Sequence, residues 1–237
     1  MNRFVLVGLR NLFRLPGAYF KLRRYAKHPE KYPEAERWAH VQKVMGMIIQ
    51  SGNIDLQVFG QENIPENGSF MLYPNHQGMF DVVALAATCH RPLGAVYKKE
   101  LHSVPVLKYV LQCTQSFAMD REDVRQSLTV IQNVTKEVLS GRNYLIFPEG
   151  TRSKNGNEMG EFHGGSFRAA AKAKCPIIPV AFIDSFKVLD QKGSAPIKVQ
   201  IHYLPPIDYA QYGEMKTVEV AQLVKSRIEK TIAENIT

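Results

Sequence analysis

Phe70-Met71-Leu72-Tyr73-Pro74-Asn75-His76-Gln77-Gly78-Met79-Phe80-Asp81 decides how this chain is read. Phe70 to Tyr73 is a short apolar run, which predicts a buried strand. A second apolar stretch, Val82 to Ala87, predicts a helix. Pro74, Asn75 and Gly78 make the connection between them a turn. His76 and Asp81 therefore fall on a strand-to-helix connection, where reactive side chains often sit. A carboxylate bonded to one ring nitrogen of a histidine fixes the tautomer and leaves the other nitrogen able to take a proton. Asp81 falls in the first helical turn, where the helix dipole favours an acidic side chain. No serine or cysteine lies between the two or next to them, which points to a proton taken from a substrate hydroxyl. An ordinary turn histidine with a helix-capping aspartate is the alternative reading.

Outward from this stretch, apolar runs alternate with helical patterns. Strand-like runs lie at 54–58, 69–73, 94–98, 116–119, 143–147, 177–183 and 197–203. Helical patterns lie at 80–89, 105–112, 123–139, 165–174 and 217–235. Asp123 suits the N-cap of the third of these helices, and Gly141 its end. The alternation predicts an α/β fold with a central mixed, largely parallel sheet flanked by helices. At 237 residues the chain suffices for one large domain, or one with an appendage. Cys89, Cys113 and Cys175 have no CxxC spacing and read as buried free thiols.

The net charge of +8 is unevenly placed. Residues 1–50 hold ten Lys/Arg against three Glu, a net of +7, so the remaining 187 residues carry only +1. A local basic excess points to an anionic partner. In 2–15, Arg3, Arg10, Asn11 and Arg14 fall on one helical face. Phe4, Val5, Leu9, Leu12, Phe13 and Leu15 fall on the other. That pattern predicts an amphipathic helix lying in a lipid headgroup plane with arginines toward the phosphates, ended by Pro16-Gly17. Arg23 and Arg24, with Tyr25, extend the basic character. Arginines interrupt the apolar stretch, so it reads as neither a signal peptide nor a span. A surface helix packed on the core is the alternative. A second helix is predicted from Pro33, its stripe of Trp38, Val41, Met45, Ile48 and Ile49 facing core or lipid. The division expected is therefore 1–50, an N-terminal basic amphipathic two-helix membrane-surface motif, and 51–237, the α/β domain.

Phe147-Pro148-Glu149-Gly150-Thr151-Arg152-Ser153 ends the run 143–147, and polar groups at the end of a buried strand line the usual ligand crevice of an α/β sheet. Gly150 permits close backbone approach, and Arg152 offers the planar fork that matches a phosphate. A surface turn with a chance arginine is the alternative.

Asn75-His76-x4-Asp81, Lys98-Lys99-Glu100-Leu101, Asp120-Arg121, Phe147 to Arg152 and Pro176-Ile177-Ile178-Pro179-Val180 occur in this order. In combination they resemble the 1-acylglycerol-3-phosphate acyltransferases of the glycerolipid acyltransferase group, over roughly 55–205. The chain departs from the family where the second block opens, Gln115 or Ser116 standing in place of the usual glycine. The resemblance implies transfer of an acyl group from a thioester to lysophosphatidic acid, giving phosphatidic acid. It implies His76 as general base, Asp81 as its orienting partner and Lys98 as oxyanion donor. It implies a glycerol-phosphate pocket from Arg121, Glu149, Gly150, Thr151 and Arg152, with Glu149 holding Arg121 or Arg152 or bonding a hydroxyl. The expected partners are lysophosphatidic acid, acyl-CoA or acyl-acyl carrier protein as co-substrate, and an anionic membrane surface at the cytoplasmic face of the cell membrane. No cofactor, metal or nucleic acid is expected. Rival readings are the same fold on glycerol 3-phosphate or another lysophospholipid, a non-catalytic anionic-lipid- or nucleic-acid-binding protein, and a hydrolase. Against nucleic acid, the chain beyond residue 50 is nearly neutral and lacks a basic, aromatic-studded face.

Overall fold

The computed structural model describes residues 3–189 and 193–236, without the side chains of Phe4, Pro105 and Leu189. In chain order the helices are α1 (Arg3–Arg10), α2 (Leu15–Lys27), α3 (Glu34–Ser51), α4 (Phe80–Thr88), α5 (Pro105–Cys113), α6 (Val124–Leu139), α7 (Arg168–Ala173), α8 (Phe186–Leu189), α9 (Tyr209–Tyr212) and α10 (Thr217–Asn235). The strands are β1 (Ile54–Phe59), β2 (Met71–Pro74), β3 (Leu93–Lys98), β4 (Phe117–Met119), β5 (Asn143–Leu145), β6 (Ile177–Ile183) and β7 (Ile197–Tyr203). They form one sheet in the order β1-β7-β6-β2-β5-β3-β4. Among the described strands β6 and β7 pair antiparallel, and the other neighbouring strands are parallel. This is the mixed, largely parallel α/β sheet that the alternation predicts.

Side chains of the central strands alternate between two apolar layers, as the two-residue period of a strand requires. Leu72, Ile178, Val180 and Phe182 join one layer with residues of α2, α3 and α4. Met71, Tyr73, Ile177, Ala181 and Ile183 join the other with residues of α6, α7 and α10. Every residue of β2 and β6 is buried. The predicted cap of α6 is present, Asp123 Oδ1 accepting from Gln126 N at 3.0 Å. Gly141, just beyond the helix, takes φ +99°, a conformation glycine adopts without a Cβ penalty. The three cysteines are buried and unbridged.

The N-terminal segment corrects the sequence reading in two ways. First, its described residues form three α-helices rather than two. Pro16 opens α2 instead of closing α1, because a first-turn proline lacks an N–H that would have no partner there anyway. Trp38, Val41 and Met45 of α3 enter the same apolar layer as Leu72 and Phe80, so the α3 stripe is core. Second, the polar side of α1 turns toward the protein. Arg3 is 4% exposed, and its guanidinium donates to Val188 O at 3.0 Å, Ala195 O at 2.9 Å and Gly52 O. Arg10 donates to Ser51 O at 3.0 Å and Asn53 Oδ1 at 2.6 Å. At Ser51 and Gly52 these cations meet carbonyls at the C-terminus of α3, where the helix dipole favours positive charge. The expectation that Arg3 faces lipid phosphates is therefore wrong: a guanidinium buried among three other segments of its own chain cannot reach a headgroup. Val5, Leu9, Leu12 and Phe13 point outward, Phe13 being 96% exposed. The Phe4 side chain lies outside the described part of the structure. Arg14, Arg23 and Arg24 are exposed. No described helix is long and apolar enough to cross a membrane.

Candidate active site

The C-terminal ends of the parallel strands β2, β5, β3 and β4 lie along one edge of the sheet, and the turns singled out in the sequence leave from that edge. The His76 turn follows β2 directly. The imidazole Nδ1 and Asp81 Oδ2 are 2.8 Å apart. Asp81 is fully buried in the first turn of α4. Its Oδ2 also accepts the backbone N–H groups of Gln77 at 2.7 Å and Gly78 at 3.0 Å. Its Oδ1 accepts the Ser185 hydroxyl. A carboxylate so surrounded by donors presents only acceptor lone pairs to the imidazole, so Nδ1 carries the proton and Nε2 is left basic. The imidazole stacks on Phe147 with ring centroids 3.9 Å apart, and the side chain keeps 17% exposure. The geometry can deliver one proton-accepting nitrogen, held in orientation from two sides, to a molecule at the sheet edge.

The second turn explains its own sequence. β5 ends at Leu145, two residues earlier than the apolar run implies, which releases Phe147 to stack on His76. Gly150 takes φ +68°, a left-handed conformation that favours glycine. Glu149 is 4% exposed. Its Oε1 accepts the His76 backbone N–H at 2.7 Å, and its Oε2 that of Gly160 at 2.8 Å. A Cβ on Gly160 would lie 3.1 Å from Oε2, so the small residue allows the approach. Burial raises the Glu149 carboxyl above the usual carboxylate range, while the two N–H donors pull it down. Ser153 N donates in turn to His76 O at 2.8 Å. The two turns are thus laced together through main-chain groups. Among the described residues, no group of three His, Cys, Asp or Glu side chains is placed to hold a metal ion.

A family model described as acyltransferase matches residues 55–183, a span that includes both turns. The chain belongs to the acyltransferase family. It is 32% identical over 168 residues to the 1-acyl-sn-glycerol-3-phosphate acyltransferase of Escherichia coli strain K12, covering 70% of this chain and 68% of that one. It is 23% identical over 226 residues to a probable 1-acyl-sn-glycerol-3-phosphate acyltransferase of Mycoplasma pneumoniae, covering 90% and 84%. The crystal structure of the 1-acyl-sn-glycerophosphate acyltransferase of Thermotoga maritima superposes with a TM-score of 0.79 over 98% of this chain and 97% of that one, at 18% identity. That last likeness establishes the shared fold.

The acyltransferase's remaining predicted site residues are spread along the sheet edge. Neighbouring strands are about 4.8 Å apart, so β3, two places from β2, ends roughly 10 Å away and β4 roughly 14 Å away. Lys98, at the end of β3, is half exposed and paired with Glu100 at 3.3 Å. Arg121, just after β4, is exposed, and the adjacent Asp120 bonds Lys99. Thr151 and Arg152 are exposed on the turn beyond β5. Glu149 differs from them: its carboxylate is buried and accepts backbone N–H groups, so it braces the histidine turn instead of lining a phosphate pocket. A buried carboxylate is unsuited to contact a dianionic phosphate, which would add a like charge. Sequence reading missed three polar side chains that hold the turn. Asn75 exchanges two bonds with the Phe182 main chain, at 3.1 and 2.7 Å. Gln77 bonds Asn157, Phe182 O and Ser185 N at 2.8, 3.0 and 2.9 Å. Ser185, on Asp81, is the third. Asn75 and Gln77 flank His76, a clue to a braced turn; Ser185 carries no local signal.

Proposed function

We propose that this acyltransferase moves a fatty acyl group from a thioester, acyl-CoA or acyl-acyl carrier protein, to the sn-2 hydroxyl of lysophosphatidic acid, giving phosphatidic acid. Membership of the acyltransferase family and the likeness to 1-acyl-sn-glycerol-3-phosphate acyltransferases support the reaction class. The observation that carries the mechanism is the 2.8 Å contact between His76 Nδ1 and buried Asp81, with no enzyme nucleophile in the turn. His76 Nε2 takes the hydroxyl proton. The oxygen's electron pair attacks the thioester carbonyl carbon, and the carbonyl electrons move to oxygen. When the tetrahedral intermediate collapses, the C–S bond breaks and the thiolate takes the proton back from the imidazolium. Asp81 holds the ring throughout. Lys98 serves as oxyanion donor after turning from Glu100. An exposed ion pair of this kind is weak and screened by water, so little opposes the change. Arg121, Thr151 and Arg152, with the Gly150 backbone, receive the substrate phosphate. The step uses no metal or cofactor.

The proposal places the protein peripherally on the cytoplasmic face of the cell membrane. The exposed apolar face of α1, continued by Phe20 of α2, supports this. Burying a Leu or Phe side chain stabilises by about 1.5–3 kcal/mol, so a lipid interface is a favourable place for Leu9 and Phe13. Replacing both by serine should weaken binding to vesicles containing anionic lipid by at least about 100-fold, as read by sedimentation; unchanged binding would remove α1 as the anchor. The reaction is tested by incubating the protein with labelled oleoyl-CoA, or oleoyl-acyl carrier protein, and lysophosphatidic acid in detergent micelles. Labelled phosphatidic acid is the expected product. Free fatty acid alone would overturn the transferase reading, and a labelled product made only with another acceptor would overturn the acceptor assignment.

A further inference from the structure

We propose that Ser185 is a positioning residue of the reaction: through its hydroxyl it fixes which lone pair of Asp81 faces His76. The inference rests on the reading of His76 and Asp81 as the proton-accepting pair and adds a third side chain to it. Ser185 follows β6, the strand next to β2, and precedes α8. It is fully buried. Its Oγ donates to Asp81 Oδ1, the oxygen opposite the one that meets the imidazole. Its backbone N–H donates to Gln77 Oε1 at 2.9 Å, and Gln77 N donates to Asp81 Oδ2 at 2.7 Å. Ser185, Gln77 and Asp81 therefore close a ring of three hydrogen bonds beneath the histidine.

That ring has a mechanical meaning. A carboxylate held only through Oδ2 can rotate about its Cβ–Cγ bond, since terminal torsions to a planar group are soft. A donor on Oδ1 removes that freedom. The chain at Ser185 is itself fixed. Asp184 takes φ +65°, its N–H bonds Asn157 Oδ1 at 2.9 Å, and its Oδ1 accepts from Asn157 Nδ2 at 3.0 Å. Asn157 also accepts from Gln77 Nε2 at 2.8 Å. The serine thus approaches Asp81 from a segment tied to the same turn. A serine present only to fill space would need no such alignment of its hydroxyl with the one carboxylate oxygen that the imidazole leaves open.

The test compares Ser185→Ala and Ser185→Cys with the wild-type protein. A hydrogen bond to a charged group is worth about a tenfold effect or more. For Ser185→Ala we expect kcat to fall about 10- to 30-fold while KM for acceptor and donor stays within about twofold, since the residue is fully buried behind Asp81. Ser185→Cys, with a weak S–H donor, should fall between. The decisive readout needs no turnover: the proton NMR resonance of the His76 Nδ1–H, assigned by its absence in His76→Ala, should shift or broaden in Ser185→Ala. An unmoved resonance, or a loss of kcat matched by a rise in KM, overturns the proposal. Should the alanine variant not fold, the cysteine variant decides by the same two readouts. Failure of the base assignment is separate: it appears as normal turnover in His76→Ala, whatever Ser185 does.

Discussion

Replacing His76 by alanine is expected to lower turnover by about 100- to 10,000-fold, the range that a positioned general base contributes. The loss should fall on kcat and on kcat/KM alike, because proton removal is needed only on the way to the transition state. Fold should survive. His76 sits on a connection, and the contacts of its backbone, N–H to Glu149 and C=O from Ser153 N, do not involve the ring. The variant does lose the stacking on Phe147, which is worth roughly 0.5–1.5 kcal/mol for ring pairs, a small part of a domain's stability. Acyl transfer by steady-state kinetics, beside thermal unfolding of both proteins, checks this. Turnover within tenfold of wild type by a folded variant would remove the general-base role.

Asp81→Asn should cost nearly as much by a different route. The carboxylate oxygen Oδ2 meets three N–H groups, those of His76, Gln77 and Gly78. An amide offers one acceptor oxygen and two donor hydrogens. If the oxygen stays on the backbone donors and the ring, Ser185 is left facing an NH2 group. If the amide turns, its NH2 meets backbone N–H groups and drives the imidazole to the tautomer with hydrogen on Nε2. That nitrogen could then take no proton from the substrate. The matching change in a serine protease triad lowers kcat about 10,000-fold through the wrong tautomer, and a loss of about 1,000-fold or more is expected here. Substrate KM values should move little. A variant keeping a tenth of wild-type kcat would remove the tautomer-fixing role of Asp81.

Much of this architecture was written locally. The run from Phe70 to Ala87 shows its strand, turn and helix because each has its own signal: a short apolar run, then Pro and Gly, then a longer apolar pattern. The α6 boundaries followed from Asp123 and Gly141 for the same reason. What escaped the sequence depends on distant partners. Arg3 has the spacing of a lipid-facing arginine, yet its acceptors lie at Gly52, Val188 and Ala195. Pro16 carries equal local meaning as the end of one helix or the start of the next, and tertiary packing of α2 against α5 accompanies the second. Glu149 belonged to the right turn but not to the right side of it, because burial of one carboxylate among polar neighbours leaves no periodic trace. Ser185 lay beyond reach for the same reason: its meaning comes entirely from Asp81, 104 positions away.

That separation has a consequence for the newly made chain. At about 5–20 residues per second, Ser185 leaves the ribosome some 5 to 20 seconds after Asp81. β6, which flanks β2 and supplies Phe182 to Asn75 and Gln77, arrives in the same interval. β1 waits longer still, since its partner is β7. During synthesis the nascent protein holds a histidine and an aspartate of the right spacing but no scaffold to align them. Competence for acyl transfer therefore comes late and together, as the last third of the polypeptide closes over its first.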